Sequence, residues 1–281
     1  MSKRVVRSLV SLVLSLVLVA ALFVAPSSAV TVAGVKVPTK MNKADGTGSA
    51  WTYQVSGKTL TATYTGSSYE YDDQASLPFR RSSDPVVQSM LWHADNKLTL
   101  ALSPMVTSGS IDTLVINKDS RRAVYRFTVS NGRVNKCTIG NTVYQFYYSN
   151  GKLTAIRNPN LDFNDYEFRY DGQGRLTYLK KNVTSYGLGN EYTFTKYNGK
   201  RVAAASSQEY HGPMNVTYTY YSNGSPSSCS SVLRYDESTT STTKTRFQYY
   251  GDNSLSTILV DSHYQGAGRT TNTSVTYNIT Y

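Results

Sequence analysis

The chain has 281 residues, with 29 basic against 18 acidic side chains and 24 tyrosines. This length is ample for one large hydrophobic core, and two cysteines are too few for a disulfide scaffold or a zinc knuckle. An excess of basic charge favours anionic partners such as cell-wall polymers, acidic glycans or lipid headgroups.

The N-terminal segment is typical of a secretory signal peptide. Lys3, Arg4 and Arg7 precede a long apolar run, and small residues lead to a predicted cleavage site after Ala29. A retained membrane anchor is the alternative, although the run is short for a span of about 20 residues. Removing residues 1–29 leaves 26 basic against 18 acidic residues, a net charge of +8. We therefore expect a secreted or cell-surface protein, for which nucleic acid is not the expected partner.

The first third of the mature chain has irregular strand signals. Residues 30–49 are predicted to form a tail or a leading strand, and residues 50–281 form one β-hairpin repeat domain. Residues 51–64 are predicted to form a hairpin around Gly57, and residues 98–102 and 111–116 are predicted strands. The helix candidate is residues 82–95, where an aspartate and a proline begin a run with one apolar face.

From residue 121 onward the chain repeats a strand, a glycine turn and a return strand. Asn-Gly tolerates the positive φ angles of tight hairpin turns, so each such pair between strand-like runs predicts a hairpin. A single hairpin is barely stable, so the copies must pair edge to edge. The period of about 20–25 residues allows two strands for each copy. The turn glycines are Gly132, Gly151, Gly174, Gly199 and Gly224.

Aromatic residues alternate along these strands and predict which face is buried. In the copy at residues 143–153, Tyr144, Phe146 and Tyr148 point to one side, and Gln145 and Tyr147 point to the other. The sequence therefore predicts an all-β fold, an antiparallel meander of about 14 strands curled into a barrel-like single domain. Curling buries the aromatic stripe and removes exposed edges; an open curved sheet is the alternative.

One copy of the repeat carries a more specific pattern. Residues 168–176 read Phe-Arg-Tyr-Asp-Gly-Gln-Gly-Arg-Leu, which resembles the YD repeat of RHS-type secreted bacterial proteins. The Tyr-x-Tyr strands and Asn-Gly-Lys-Leu turns over residues 121–281 also resemble small secreted bacterial proteins of porin-like fold and unknown function. Both resemblances imply a curling or closing antiparallel sheet. Neither implies an activity or a cofactor.

The two cysteines test the architecture. Cys137 and Cys229 each lie five residues after a turn glycine, so they occupy the same repeat position, four copies apart. In a flat sheet about eight strands would separate them by roughly 38 Å, whereas a disulfide needs Cα atoms within about 7 Å. We expect two separate thiols.

The candidate binding residues are Tyr147, Tyr221 and Tyr250. Each belongs to a Tyr-Tyr pair near a turn, and each is predicted to lie off the face that holds its neighbour. Exposed tyrosines among basic residues suit stacking on sugar rings or contact with a partner protein. The competing interpretation is that they only stabilise the sheet across strands.

These observations favour a non-enzymatic exported binding module for an extracellular glycan, a cell-wall polymer or a protein. No metal site, cofactor or catalytic motif is expected from the histidine and glycine patterns. An outer-membrane β-barrel is the first alternative, since the last strand alternates as such strands do, but several strands lack the apolar lipid face it requires. A polymer hydrolase is the second alternative, and it would need two carboxylates facing one sugar.

Overall fold

The structure is a computed structural model that describes residues 29–66, 100–161, 164–182, 190–209, 212–266 and 268–281. Almost all of the predicted signal peptide and the whole predicted helix at 82–95 lie outside these residues. The described chain is nearly all β-structure, with one short helix, α1 (Pro104–Thr107). The strands are β1 (Val30–Val32), β2 (Val35–Val37), β3 (Lys40–Lys43), β4 (Ala50–Ser56), β5 (Thr59–Thr65), β6 (Thr113–Lys118), β7 (Arg121–Ser130), β8 (Arg133–Ile139), β9 (Thr142–Ser149), β10 (Lys152–Arg157), β11 (Tyr166–Tyr170), β12 (Leu176–Lys181), β13 (Asn190–Asn198), β14 (Arg201–Glu209), β15 (Gly212–Tyr220), β16 (Pro226–Arg234), β17 (Thr240–Tyr249), β18 (Leu255–Gly266) and β19 (Arg269–Thr280).

Strands β3 to β19 form a closed barrel in which neighbours in sequence are neighbours in space. The last strand, β19, pairs with β3 and closes the ring, with Ile279 opposite Met41. The predicted all-β meander and its curling are therefore confirmed, and the open-sheet alternative is wrong. The predicted count of about 14 strands is too low, since 17 described strands make the barrel and β1 and β2 pair separately.

One pair in the barrel is parallel. Strands β5 and β6 run in the same direction, with Thr59 opposite Thr113 and Tyr64 opposite Lys118. Parallel neighbours need a long connection rather than a hairpin, and residues 66–112 make it. The strand predicted at residues 98–102 is wrong, because Leu100 and Ala101 are helical and fully buried, as are Met105 and Val106 of α1. An apolar run of this length does not by itself distinguish a strand from a buried helical segment.

The two ends of the barrel differ. We call the end that carries the predicted turn glycines the glycine end and the opposite end the far end. Every hairpin that turns at the glycine end between β7 and β18 contains a register shift close to its turn, whereas the pairs that turn at the far end between β8 and β19 contain none. A β-bulge bends its strand and increases the local twist. The register shifts, at least one in each copy of the repeat, therefore curve the meander in one direction until it closes.

Two of the four Asn-Gly turns have positive φ angles at both residues, as the sequence predicts, whereas at 198–199 and 223–224 only the glycine does. Asn131 and Gly132 have φ angles of 53° and 71°, and Asn150 and Gly151 have φ angles of 48° and 80°. Two successive positive φ values define the tight hairpin turn whose twist matches that of the strands.

Alternate residues of the barrel strands face a single apolar cluster inside the barrel. In β9, Phe146 is buried and Tyr144 and Tyr148 pack against the cluster, while Gln145 and Tyr147 are exposed, as predicted. The interior is covered at the glycine end by two short elements. Lys36 of the β1–β2 hairpin pairs with Asp252 in the turn after β17 at 2.9 Å, and the segment after α1 bonds to the turn after β4 through the backbone of Asp112.

The two cysteines are buried and do not form a disulfide with each other, so the prediction of separate thiols is confirmed. They lie on β8 and β16, eight strands apart in one direction around the ring and nine in the other. Closure of the sheet therefore places them on opposite walls instead of bringing them together. Burial raises the pKa of the Cys229 thiol to about 12, which suppresses the reactive thiolate.

A repeated contact, which we call the tyrosine clamp, joins successive copies at the glycine end. A tyrosine at the end of one hairpin's first strand donates its hydroxyl to a backbone carbonyl just after the turn of the preceding copy. The donors and acceptors are Tyr148 to Val134 (3.0 Å), Tyr170 to Leu153 (2.8 Å), Tyr197 to Leu176 (2.7 Å), Tyr220 to Val202 (2.7 Å) and Tyr249 to Pro226 (3.0 Å).

The basic residue that follows the turn glycine belongs to the same contact. Its cation lies over the ring of the clamping tyrosine, for example Arg175 at 4.3 Å from the centre of Tyr197. Lys152 lies 4.8 Å from the centre of the Tyr170 ring. Cation–π contacts of this kind contribute about 0.5–1 kcal/mol at exposed sites. The Gly-Lys-Leu or Gly-Arg-Leu part of the motif thus supplies a turn, a cation for the next tyrosine and a carbonyl acceptor.

Within the described part of the chain, no helix combines the length and apolar character needed to cross a membrane.

The clamp predicts the effect of removing one hydroxyl. Tyr220→Phe should lower the free energy of unfolding by about 1–3 kcal/mol, because the half-buried carbonyl of Val202 loses its donor. Tyr147→Phe is the matched control, since its hydroxyl bonds only to the exposed side chain of Gln145, and it should change stability by less than about 0.5 kcal/mol. Urea unfolding measures both, and equal losses would contradict a structural role for the clamp.

The clamp also predicts that the folded state loses stability at high pH. Burial raises the pKa of Tyr148 and Tyr220 from 10 to about 12, so the folded state favours the protonated phenol. The stability that this preference contributes is full below pH 10 and is lost as the pH rises through about 12. The melting temperature should fall across that window together with phenolate absorbance. A double Tyr148→Phe, Tyr220→Phe variant should show a smaller fall; an identical fall would contradict the assignment.

Candidate ligand-binding surface

The inner face near the far end carries a row of aromatic and basic side chains, which we call the aromatic–basic row. Trp51 of β4 lies opposite Tyr64 of β5, which lies opposite Lys118 of β6, which lies opposite Arg121 of β7. Directly opposed residues project from the same face of a sheet. The four side chains therefore form one line across four neighbouring strands.

Contacts between the rings and the cations order this row. The Trp51 and Tyr64 rings have their centres 5.2 Å apart and are tilted by 46°. The Lys118 ammonium lies 5.7 Å from the centre of the Tyr64 ring. Trp51 is buried, Tyr64 and Lys118 are half-buried, and Arg121 is exposed. The row thus runs from a packed aromatic base to a solvated guanidinium.

A shallow concave surface lies beside the row. Its lining combines the row's Trp51, Tyr64 and Lys118 with residues of β3, of the turn after it, of the start of β4 and of β19, namely Met41, Lys43, Ser49, Ala50 and Tyr277. Lys43 pairs with Asp45 at 2.8 Å. The hydrogen bonds from Lys43 and Thr47 lower the pKa of Asp45 to about 2, so that carboxylate stays ionised and offsets Lys43. Lys118 lies over the Tyr64 ring, and Arg121 is exposed at the end of the row.

The chemistry of this surface suits a sugar that carries an acid group. The half-buried Tyr64 ring, which packs on the buried Trp51, offers an apolar surface to the C–H face of a sugar ring. A guanidinium and an ammonium at one edge of the platform bind a carboxylate or a phosphate, the guanidinium with two parallel donors.

The predicted binding tyrosines are all exposed. Tyr147, Tyr221 and Tyr250 have exposed fractions of 44%, 45% and 47%. Tyr147 lies on the face of β9 opposite Tyr148, which packs against the core. Tyr221 and Tyr250 follow strand ends, and their rings contact the core-packed Tyr249 and Tyr281 at centre distances of 5.8 and 6.1 Å.

These three tyrosines are not equivalent, however. Tyr147 is a residue of β9, while Tyr221 and Tyr250 follow the ends of β15 and β17. The Tyr221 hydroxyl donates to the carbonyl of Phe247 at 2.9 Å, and the Tyr250 hydroxyl donates to that of Ile279 at 2.8 Å. Six strands separate Tyr147 from Tyr221, or roughly 29 Å along the wall. The three do not form one cluster, and their binding role stays a prediction.

A polymer hydrolase would need paired carboxylates, and the sequence has acidic clusters at residues 70–73 and 162–167. Glu70, Asp72 and Asp73 lie outside the described residues, as does Asp162. Asp165 accepts a hydrogen bond from the backbone of Asn158 at 2.7 Å and so orders the turn after β10. Among the described residues, no group of three or more His, Cys, Asp or Glu side chains is arranged to hold a metal ion.

No protein-family model matches the chain, and no curated protein matches its sequence. The likeness of residues 168–176 to the YD repeat therefore stays a prediction. Asp171 of that copy has a local structural role, since it pairs with Arg175 at 2.6 Å and accepts hydrogen bonds from the backbone of Gln173 and Arg175. The carboxylate thus holds the turn in place and positions the cation of the next clamp.

The aromatic–basic row was not predicted from the sequence. Trp51 and Tyr64 were assigned to a hairpin, and their shared face follows from that assignment. Lys118 and Arg121 are 54 and 57 residues further along than Tyr64, and only the parallel pairing of β5 with β6 brings them beside it. Parallel pairing leaves no turn signal at the paired residues, so the row had no local signature.

Proposed function

We propose that this protein is an exported, non-enzymatic binding module that holds an anionic polysaccharide on its aromatic–basic row. The observation that carries the proposal is the line Trp51, Tyr64, Lys118 and Arg121 on one face of four adjacent strands. An aromatic platform ending in two cations matches an acidic sugar in both shape and charge. The predicted signal peptide and the net positive charge of the mature chain support the same class of extracellular ligand.

The row lies outside the tyrosine-rich repeat for the most part. Its aromatic members belong to β4 and β5, ahead of the repeat, and its cations lie where the repeat begins. The repeat copies supply the wall and its clamps, and the less regular first third supplies the binding surface. This division fits a module in which a stable scaffold carries a small recognition site.

The outer face of the barrel favours a protein that does not insert into lipid over one that does. A lipid-facing barrel needs an apolar band on the outside of its strands. Here outward positions within the strands are occupied by charged side chains on several walls, including Arg126, Glu167, Arg169, Lys244 and Arg246. We therefore favour the binding module over the outer-membrane alternative.

Detergent dependence tests this preference. Residues 30–281, refolded or exported without detergent, should give a single sharp peak on size-exclusion chromatography and a cooperative unfolding transition. Aggregation that detergent reverses, with full β-structure only in micelles, would favour the outer-membrane barrel instead.

Removal of the two cations tests the row. Polygalacturonate should bind residues 30–281, and fully methyl-esterified polygalacturonate, which has the same rings without charge, should bind at least tenfold more weakly. Lys118→Ala with Arg121→Ala should weaken polygalacturonate binding by at least about tenfold, since hydrogen bonds to charged groups contribute about 1.5–3 kcal/mol each. Isothermal titration calorimetry at fixed ionic strength measures both comparisons.

The matched control removes the same charge from the outer face. Arg126 and Lys136 are exposed on neighbouring strands β7 and β8, and replacing both with alanine should leave binding within about twofold if the row is the site. Equal weakening by both double variants would mean that net charge alone attracts the polymer. A triple variant, Tyr147→Ala, Tyr221→Ala and Tyr250→Ala, is tested beside it. If the triple variant loses binding while the row variant keeps it, the binding site is at these tyrosines and not at the row.

A further inference from the structure

A second polar surface lies on the inner face of β16 to β19. Ser231, Thr243, Ser262 and Thr273 are successive cross-strand partners on these four strands. Ser231 also lies opposite the buried Val216 of β15, which places the whole line on the inner face. The Thr243 and Ser262 hydroxyl oxygens are 3.4 Å apart. We call this line the hydroxyl row.

The inner face is accessible here because the strands extend beyond the packed core. Strands β18 and β19 have 12 residues each. Their inner positions are buried toward the glycine end, at Ile258 and Ile279, but Thr271 and Thr273 on the same face are exposed. A ligand inside the far end therefore meets hydroxyl groups on this side of the barrel.

An exposed aromatic pair borders the hydroxyl row on the side of the far end. Tyr264 is the next inner residue of β18 after Ser262 and lies opposite Ser241 and Thr271. Its ring meets that of Tyr235, from the turn after β16, edge to face with centres 6.2 Å apart. Their exposed fractions are 36% and 39%, so the pair presents aromatic surface to solvent.

Strand β19 connects the hydroxyl row with the concave surface beside the aromatic–basic row. Tyr277 lines that surface, and Val275, Thr273 and Thr271 lie further toward the far end on the same face of the strand. Six residues of strand separate Tyr277 from Thr271, or roughly 20 Å. A single sugar is too small to contact both the aromatic–basic row and the Tyr235–Tyr264 pair.

We propose that the binding site extends along the hydroxyl row to Tyr235 and Tyr264, so that the ligand is an extended anionic polysaccharide chain rather than a single sugar acid. This inference rests on the proposed function. Lys118 and Arg121 bind an acid group of the chain, the hydroxyl row exchanges hydrogen bonds with ring hydroxyls, and the tyrosine pair stacks on a sugar further along. Contacts along one chain add to affinity because later contacts form within the same complex.

Chain length is the variable that tests this proposal. Galacturonic acid, short oligogalacturonides and polygalacturonate are titrated into the wild type and into a Tyr235→Ala, Tyr264→Ala variant. The polymer should bind the wild type at least about tenfold more tightly than the short oligomers. The variant should lose most of that difference while its affinity for the short oligomers stays within about twofold. A long polymer offers more places to bind than a short oligomer does. Comparing the wild type with the variant at each length removes this statistical difference from the result.

Two further variants separate ligand contact from a general loss of structure. Thr273→Val keeps the shape of an exposed side chain and removes its hydroxyl, and it should weaken polymer binding without changing the unfolding midpoint. Tyr147→Ala removes an equally exposed tyrosine from the outer wall and should leave the length dependence intact. If all lengths bind the wild type equally, or the double variant keeps the wild-type length dependence, the extended site is wrong although the row still binds. If no charged ligand binds at any length, the proposed function itself fails.

Discussion

The tyrosine clamp is the contact on which the barrel depends, because it joins one copy of the repeat to the next at the point where the wall bends. Each clamp hydrogen bond satisfies a carbonyl beside a turn, and in most copies a basic side chain covers the same ring. A β-bulge lies at the same place in each hairpin and bends the strands. Bulges without clamps would leave the hairpins free to splay, and clamps without bulges would hold a flat sheet. Together they determine the curvature that allows β19 to reach β3.

The inner faces at the two ends of the barrel carry different kinds of side chain. The glycine end is packed with apolar residues and covered by the β1–β2 hairpin and α1, while the inner face toward the far end carries hydroxyl, phenol and basic groups. The packed core and the proposed binding surface therefore lie at different heights along the barrel axis. Substitutions such as Lys118→Ala act on the polar half, where little packing is lost, whereas Tyr220 and its acceptor Val202 belong to the half that holds the fold together.

Local signals predicted what local interactions decide. The Asn-Gly turns, the alternation in β9 and the opposite placement of Tyr147 and Tyr148 follow from φ preferences and from the two-residue period of a strand. The helical conformation of Leu100 and Ala101 was missed because a short apolar run has no periodicity to separate helix from strand. The strand count was too low because strands such as β3, with four residues, are too short for alternation to stand out.

By itself the sequence determined the β-hairpin repeat, the buried face of each strand and the separateness of the two thiols, since each depends on residues close together in the chain or on simple spacing. Only the tertiary structure decided that the ring closes through β19 and β3, that β5 and β6 run parallel, and that Tyr64 therefore lies beside Lys118. These pairings join residues far apart in sequence. These pairings are stabilised by closure of the whole barrel, and no turn residue or hydrophobic period close to either strand indicates them in the sequence.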